Sequence, residues 1–342
     1  MSVRVGIIGA GSWAVSAHIP ALLARPEVEL VGLCRPELDI ARTIAAEHGI
    51  PVAVSDHREL LAAGLDAVVV SSPAVTHFAH VRDALAAGAH VLCEKPMTID
   101  PAEAWELVRQ AQDADRELVV SFGWNCTPMV RDAVQLVREA DIGPLEHMTV
   151  HMSSPTRELL GGVGDYPDAA SGTAPQRATW VDPRISGGGY GQAQLSHALA
   201  LALALVDEEV VAARALGWSG AAGVELHLAA AIEFAGGGIG VLSGGSAHRG
   251  AWGDRHDLQV RLIGSRGQAV LDVLNDIAWV HTPSGDRRLE LAPGAGRYLP
   301  SGPANALVDA ALGMGVNPAP GRLGARTVEA LAHVYASLDR EE

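Results

Sequence analysis

Residues 3–8 form an apolar run that ends in Gly9-x-Gly11-x-x-Ala14, and a helix-like segment follows over 17–24. This arrangement constrains the fold more than any other feature of the chain. A strand can pass into a helix through so short a turn only if one glycine permits the bend, a second leaves the backbone bare, and a small residue lets the helix pack closely. Such a turn accepts a dinucleotide pyrophosphate, because the backbone can approach it and the helix N-terminus faces its charge. Gly9, Gly11, Ser12, Trp13 and Ala14 are therefore cofactor-contact candidates; the competing reading is a plain strand-to-helix turn.

The rhythm then repeats. Apolar runs at 29–34, 67–71, 90–93 and 118–122 alternate with helical spacing at 39–48, 76–87 and 101–114. Strands that alternate with helices imply a parallel sheet covered on both faces, which is an α/β Rossmann domain with a doubly wound sheet. After Trp124 the pattern changes. A helix over 129–140 precedes longer runs at 146–152, 211–216, 224–234, 240–244 and 258–263 without regular helices between them. That pattern predicts an α+β domain built on a mostly antiparallel open sheet. The expected division is a dinucleotide-binding domain over 1–124 and a substrate-binding and oligomerisation domain over 125–342. An irregular segment, 153–189, lies within the second, and a loop of that length is usually functional. Helices over 194–206 and 326–338 complete the outline.

Composition removes several classes. The formal charge of -15 and the absence of any Lys/Arg run exclude a nucleic-acid surface. Cys34, Cys93 and Cys126 are scattered, without CxxC or Cys/His spacing, so neither a disulfide framework nor a metal site is expected. The apolar run 198–206 is too short to span a bilayer, and no leader pattern precedes the first strand, so a cytoplasmic protein with no membrane partner is expected.

An NAD-binding turn is usually followed, about 20 residues on, by a carboxylate that accepts the ribose hydroxyls. Arg35 stands there instead. A guanidinium cannot accept a hydrogen bond but pairs with a 2′-phosphate, so the expected cofactor is NADP(H). An arginine that merely closes the strand is the alternative.

A further apolar run ends in Cys93-Glu94-Lys95-Pro96. With the turn at Gly9 to Ala14, His18-Ile19-Pro20, Ser72-Pro73 with His77 behind it, and Gly187-Gly188-Gly189 followed by His197, the chain resembles the glucose-fructose oxidoreductase, inositol dehydrogenase and rhizopine catabolism family, Gfo/Idh/MocA. The resemblance runs over nearly the whole chain. It implies that Lys95 points at the reacting hydroxyl or carbonyl and acts as acid/base, and that His197 assists. It also implies that Ser72, Pro73, His77, Glu94 and Lys95 contribute to the cofactor site. A free lysine titrates at about 10.4, so burial or neighbouring positive charge must lower that value for proton exchange near neutrality.

The sequence departs from the family at position 193. The usual aspartate four residues before the histidine is Ala193, which leaves Tyr190, Gln192 and Gln194 as the polar residues nearby; Tyr190 and Gln194 are the substrate candidates. Ala74 replaces a frequent asparagine, while Asn125 follows Trp124 where relatives often carry an asparagine near the ring. Trp180 either lines a sugar site or is a core residue, and Asp182 and Arg157 are further candidate contacts.

These features imply an oxidoreductase that exchanges hydride between NADP(H) and a sugar, cyclitol or related polyol, with a homo-dimer or homo-tetramer as its assembly. Two alternatives stay open: a redox-neutral sugar elimination or hydrolysis through transient oxidation, and a non-catalytic dinucleotide-sensing regulator.

Overall fold

The computed structural model describes residues 2–163, 173–174, 176–250 and 255–338. The chain divides into two compact units, and their boundaries are discontinuous in sequence. One comprises Met1–Gly123, Tyr166–Thr179 and Pro300–Ala325, and the other Trp124–Asp165, Trp180–Leu299 and Arg326–Glu342.

The first unit carries a six-stranded sheet of β1 (Val3–Ile8), β2 (Val28–Cys34), β3 (Val52–Val54), β4 (Ala67–Val70), β5 (His90–Cys93) and β6 (Leu118–Val120). Its order is β3-β2-β1-β4-β5-β6 and every pairing is parallel. This is the dinucleotide-binding order, in which ligands sit beyond the carboxyl ends of the strands where the order reverses. The strands are nearly all apolar because both faces are covered. Crossovers run through α1 (Ile19–Leu23), α2 (Leu38–His48), α3 (His57–Leu61), α4 (His77–Ala86) and α5 (Pro101–Asp113). Local chemistry sets their ends: α2 stops at Gly49, in the left-handed region at φ 67°, and α5 begins at Pro101 with the Asp100 carboxylate accepting from Ala102 N–H at 2.7 Å.

The expected helix over 17–24 is instead a wide π turn over Ala14–His18 that leads into α1. In this unit β3 and α3 leave no mark in the apolar period, because three or five residues carry too little pattern. Nor does that period mark 302–311. That stretch is a helix, Gly302–Ala311, whose Leu307 and Val308 pack in the first unit's core with Ile7, Val69 and Leu92.

The second unit contains α6 (Pro128–Ala140), β7 (Leu145–Ser154), the short helices α7 (Arg157–Leu160) and α9 (Pro183–Ser186), and α10 (Ser196–Leu205), while α8 (Ala178–Val181) has its first two residues in the first unit and its last two in the second. Seven strands follow: β8 (Val210–Ser219), β9 (Glu225–Phe234), β10 (Ile239–Ser246), β11 (Asp257–Gly264), β12 (Gly267–Asp272), β13 (Ile277–Thr282) and β14 (Gly285–Arg288). The helix already described over Gly302–Ala311 is α11, and α12 covers Gly321–Leu338. The eight-stranded sheet runs β14-β13-β12-β11-β7-β10-β9-β8, antiparallel except for β7 with β10. Alternation along β7, β9 and β11 buries Met148, Val150, Met152, Leu228, Ile232, Leu258, Val260 and Leu262 on one face. Helices α6 and α10 pack on this sheet. The residues between the buried ones include the exposed Leu216, Trp218, Ile239, Val241 and Ile263. No described helix is long and apolar enough to cross a membrane.

Candidate active site

In the first unit the turn after β1 has the shape that a pyrophosphate needs. Gly9 sits at φ 93°, and a Cβ there would lie 2.3 Å from Ser72 N, so both conformation and the close approach of the next strand require glycine. A Cβ on Gly11 would meet nothing within 4 Å. The backbone at Gly11 is thus open enough for a pyrophosphate to approach. Ala14 is fully buried, which lets the helical segment press on the sheet. Ser12 is buried as well, its hydroxyl donating to the Thr173 carbonyl at 2.8 Å and its N–H to the same oxygen at 3.1 Å. The Trp13 ring meets His18 edge-on at 6.4 Å.

Arg35 closes β2 and is not merely an exposed cap. Its Nη1 donates to the Ala10 carbonyl at 3.0 Å, within the Gly9–Gly11 turn, and its Nε donates to Glu37 at 2.8 Å. The hydrogen bond from Arg35 lowers the Glu37 carboxyl below its ordinary range. A guanidinium–carboxylate pair therefore stands where a lone carboxylate is common, and Glu37 is a residue the sequence reading overlooked.

At the next switch strand, Ser72 Oγ lies 2.9 Å from His80 Nδ1 and accepts from Thr76 at 3.0 Å. Pro73 leads into a single turn of 3₁₀ helix over Ala74–Thr76. His77 is buried, with Nε2 2.7 Å from the Ser72 carbonyl and Nδ1 2.8 Å from the Pro96 carbonyl. Its ring thus joins the Ser72-Pro73 turn to the segment that carries Lys95. Burial lowers its basicity, while those two carbonyls and Glu94 act in the opposite sense.

Lys95 directly follows β5 and Glu94. Burial lowers the lysine below its usual value, with the Glu94 charge partly opposing the shift. Glu94 accepts from His18 Nε2 at 2.9 Å and from the Lys95 N–H at 3.2 Å. Burial raises the Glu94 carboxyl, but His18 and Lys95 overcome that and hold it down to about 2. Near neutral pH this side chain is consequently an anion, unsuited to hold a transferable proton. Lys95, by contrast, is a buried amine whose proton affinity is lowered.

The second unit gathers a different set. His197, nine-tenths or more buried, opens α10 and meets Trp124 edge-on at 5.5 Å and Tyr298 at 5.7 Å; Trp124 also meets His256 at 5.2 Å. The Trp124 indole donates to the Gly296 carbonyl at 3.2 Å, which fixes this aromatic group. Asn125 is buried, and neither amide atom has a hydrogen-bond partner among the described residues. A buried amide in that state costs about 1–3 kcal/mol, so it is a position where a ligand adds stability.

The triple glycine has a structural cause that the sequence did not show. The Gly189 and Gly191 N–H groups donate to Glu225 Oε2 and Oε1 at 2.9 and 2.8 Å, and the Tyr335 hydroxyl donates to Oε1 at 2.7 Å. A Cβ on Gly188 would lie 2.3 Å from the Tyr335 hydroxyl, and one on Gly189 would lie 2.4 Å from the Glu225 carbonyl. Burial and the nearby Glu225 push the Tyr335 phenol well up, so it remains a donor. A glutamate between Val224 and Leu226 in an apolar run was the available signal.

Other predicted residues have plainer surroundings. Tyr190 is fully buried, its hydroxyl donating to the Met152 carbonyl at 2.9 Å and accepting from Ser154 at 3.0 Å, which supports a packing role. Gln194 is half-buried in the π turn Gly191–Leu195, and Trp180 is half-buried in α8. Asp182 caps α9, accepting from Arg184 N–H at 3.0 Å, and pairs with the Arg184 guanidinium. Arg157 Nη1 donates to His227 at 3.3 Å and its guanidinium lies 5.6 Å from the Trp218 ring centre. Tyr190, Asp182 and Arg157 thus have local partners. No cluster of metal-ligating side chains occurs among the described residues.

Residues 3–122 match the family model described as "Oxidoreductase family, NAD-binding Rossmann fold", and residues 130–270 match the one described as "GFO/IDH/MocA C-terminal domain". The chain belongs to the Gfo/Idh/MocA family. Among its curated relatives are D-glucoside 3-dehydrogenase of Escherichia coli, 37% identical over 121 residues that make up 35% of this chain and 34% of that one. Another is D-xylose 1-dehydrogenase (NADP(+)) 2 of Haloferax volcanii, 32% identical over 169 residues, 49% of this chain and 51% of that one. The matches thus span about a third to a half of these Gfo/Idh/MocA relatives. The fold is shared throughout: an inositol dehydrogenase homolog complexed with NAD+ from Azotobacter vinelandii superposes with a TM-score of 0.79 at 22% identity, over 99% of this chain and 96% of that one.

Proposed function

We propose that this Gfo/Idh/MocA protein is an NADP(H)-dependent oxidoreductase that acts on a hydroxyl-bearing carbon of a sugar, cyclitol or related polyol. The observation that carries the reading is Lys95: a lysine at the end of a strand of a dinucleotide-binding sheet, its basicity lowered by burial and its neighbour Glu94 held ionised. The relatives named as sugar dehydrogenases support the substrate class. The nicotinamide, when bound, supplies or takes the hydride. Lys95 takes the hydroxyl proton in oxidation and returns it in reduction, and in its charged form it stabilises an alkoxide. His197 assists the same proton movement. Gly9, Gly11, Ser12, Trp13, Ala14 and Arg35 hold the dinucleotide together with Ser72, Pro73 and Asn125, while Trp180 and Gln194 contact the polyol.

Arg35 sets the cofactor preference in this reading. Arg35→Ala is expected to weaken NADPH binding by roughly 10- to 100-fold, the worth of one charge-assisted contact, and to leave NADH binding within about threefold. Titration of nicotinamide fluorescence measures both. A wild-type chain that binds NADH as tightly as NADPH would refute the assignment. The activity itself is tested by following nicotinamide absorbance with NADP+ and a panel of aldoses, glucosides and inositols, and with NADPH and the corresponding ketones. Turnover without net absorbance change would instead identify the redox-neutral route.

Exposed apolar side chains of the second unit support an oligomeric assembly. The exposed Leu216, Trp218, Ile239, Val241 and Ile263 lie on β8, β10 and β11, and we assign them to an interface with a second copy. Light scattering is expected to give twice or four times the chain mass, and Val241→Arg to lower it; a monomeric wild type would overturn this assignment.

A further inference from the structure

We infer that Gln192 is a substrate-hydroxyl acceptor that takes over the position left without a carboxylate by Ala193. The inference rests on the dehydrogenase reading for its substrate class, but its structural premises are independent of that reading. Gln192 is 4% exposed, and its Oε1 has no hydrogen-bond partner among the described residues. A buried amide oxygen in that condition costs free energy that a donor from a ligand would recover.

The backbone around it is unusually well fixed. The Gln192 N–H donates to the Tyr335 hydroxyl at 3.1 Å, and its carbonyl accepts from the Ser196 hydroxyl at 2.7 Å. On its N-terminal side, Gly189 and Gly191 are held by Glu225, and the Ala193 N–H donates to the Gly189 carbonyl at 2.9 Å. These contacts gather otherwise orphaned N–H groups at the start of a helix. They commit the main chain while the side-chain oxygen stays unmatched. Glu225 and Tyr335 are therefore positioning residues, and the glycines exist to admit them.

The winding of this segment brings Gln192 into register with the histidine. Residues Gly191–Leu195 form a π turn directly before His197 in α10. A turn closed by i→i+5 bonds holds one more residue than an α turn, so the residue five before the histidine lies about one turn behind it, as the residue four before does in an α-helix. Gln192 occupies that place, next to an alanine that can accept nothing from a ligand through its side chain.

An amide oxygen differs from the carboxylate it replaces in carrying no charge. It accepts a hydrogen from a neutral hydroxyl but does not hold an adjacent imidazole in its charged form. The group it takes is accordingly an uncharged hydroxyl of a polyol, and His197 works without an anionic neighbour on its own helix.

The test is steady-state kinetics of the holoenzyme with the best polyol of the panel. Gln192→Met, similar in length but without the acceptor, is expected to raise KM for the polyol roughly 10- to 100-fold while NADPH binding stays unchanged. Gln192→Glu keeps an acceptor and adds charge; it is expected to restore KM to within a few-fold and to move the lower limb of the pH–rate profile to higher pH, as a carboxylate beside an imidazole does. A KM for Gln192→Met within twofold of wild type would overturn the inference, as would a KM for Gln192→Glu no better than that of Gln192→Met. A crystal structure of the wild type soaked with myo-inositol gives a second readout. Oε1 bonded to an inositol hydroxyl or to solvent supports the assignment, and Oε1 bonded to a protein donor defeats it. If no polyol is turned over, the dehydrogenase reading fails on the panel and the Gln192 inference is judged on that structure.

Discussion

Lys95→Met is expected to lower kcat for polyol oxidation by about 10²- to 10⁴-fold, the usual contribution of a positioned acid or base, with NADPH affinity nearly unchanged. Methionine keeps much of the apolar stem and removes the ammonium, so the loss reports on the proton and charge rather than on packing. Lys95→Arg separates those two. A guanidinium keeps the positive charge but does not give up its proton near neutrality, so this variant should retain whatever electrostatic help Lys95 supplies and lose the proton transfer. The pH dependence has a definite sign. Burial lowers the Lys95 pKa, so the fraction of neutral amine rises with pH through a value below that of a free lysine. Oxidation uses the neutral amine and should accelerate as pH rises through that value. Both variants should lose this dependence. If the wild-type profile lacks it, or if Lys95→Met retains turnover within tenfold, Lys95 is not the acid/base.

Glu225→Ala is expected to destabilise the second unit by about 3–5 kcal/mol, because it leaves three buried neutral donors unmatched and each costs about 1–3 kcal/mol. Three donors converge on this carboxylate: the N–H groups of Gly189 and Gly191 and the hydroxyl of Tyr335. Alanine would leave all three without their acceptor in a region where water has little access. The melting temperature of a unit of this size should fall by about 2–4 °C for each kcal/mol lost. Thermal unfolding followed by circular dichroism measures it. Tyr335→Phe removes one donor to the carboxylate and the acceptor of the Gln192 N–H but leaves the carboxylate bonded to two N–H groups, so its effect should be smaller, about 1–3 kcal/mol. Equal effects from the two variants would show that the Tyr335 hydroxyl, not the bonds of the carboxylate to the two N–H groups, holds the glycine segment.

The two centres were unequally legible. The dinucleotide turn was readable because its demands are local: the left-handed φ of Gly9 and the open space at Gly11 belong to one loop, and a sequence motif records them directly. The placement of Lys95 just after a short apolar strand was readable for the same reason. Arg35 was half read. Its position was evident, but its bond to Glu37 and to the Ala10 carbonyl depends on where β1 and β2 end in space. The triple glycine was noticed and its cause was not, because Glu225 and Tyr335 lie dozens of residues away on β9 and α12.

Tyr190 and Gln192 show the same limit more sharply. Both are polar residues in one short stretch, and composition alone offers either as a substrate contact. The fold separates them: the Tyr190 hydroxyl bonds to Met152 and Ser154 in the core, whereas the Gln192 oxygen meets no partner among the described residues.

Hydrophobic period, glycine placement and the Glu-Lys-Pro segment by themselves determined a doubly wound parallel domain, a second mostly antiparallel sheet and the lysine to test first. These follow from contacts between near neighbours in sequence, whose geometry the backbone fixes within a turn or two. The tertiary structure alone decided the return of α11 to the first unit's core, the parallel pairing of β7 with β10, the ionised state of Glu94 beside His18, and the carboxylate beneath the glycines. Each of those depends on groups distant in sequence meeting in a space from which water is largely excluded, and there burial and unmatched donors or acceptors set the energy.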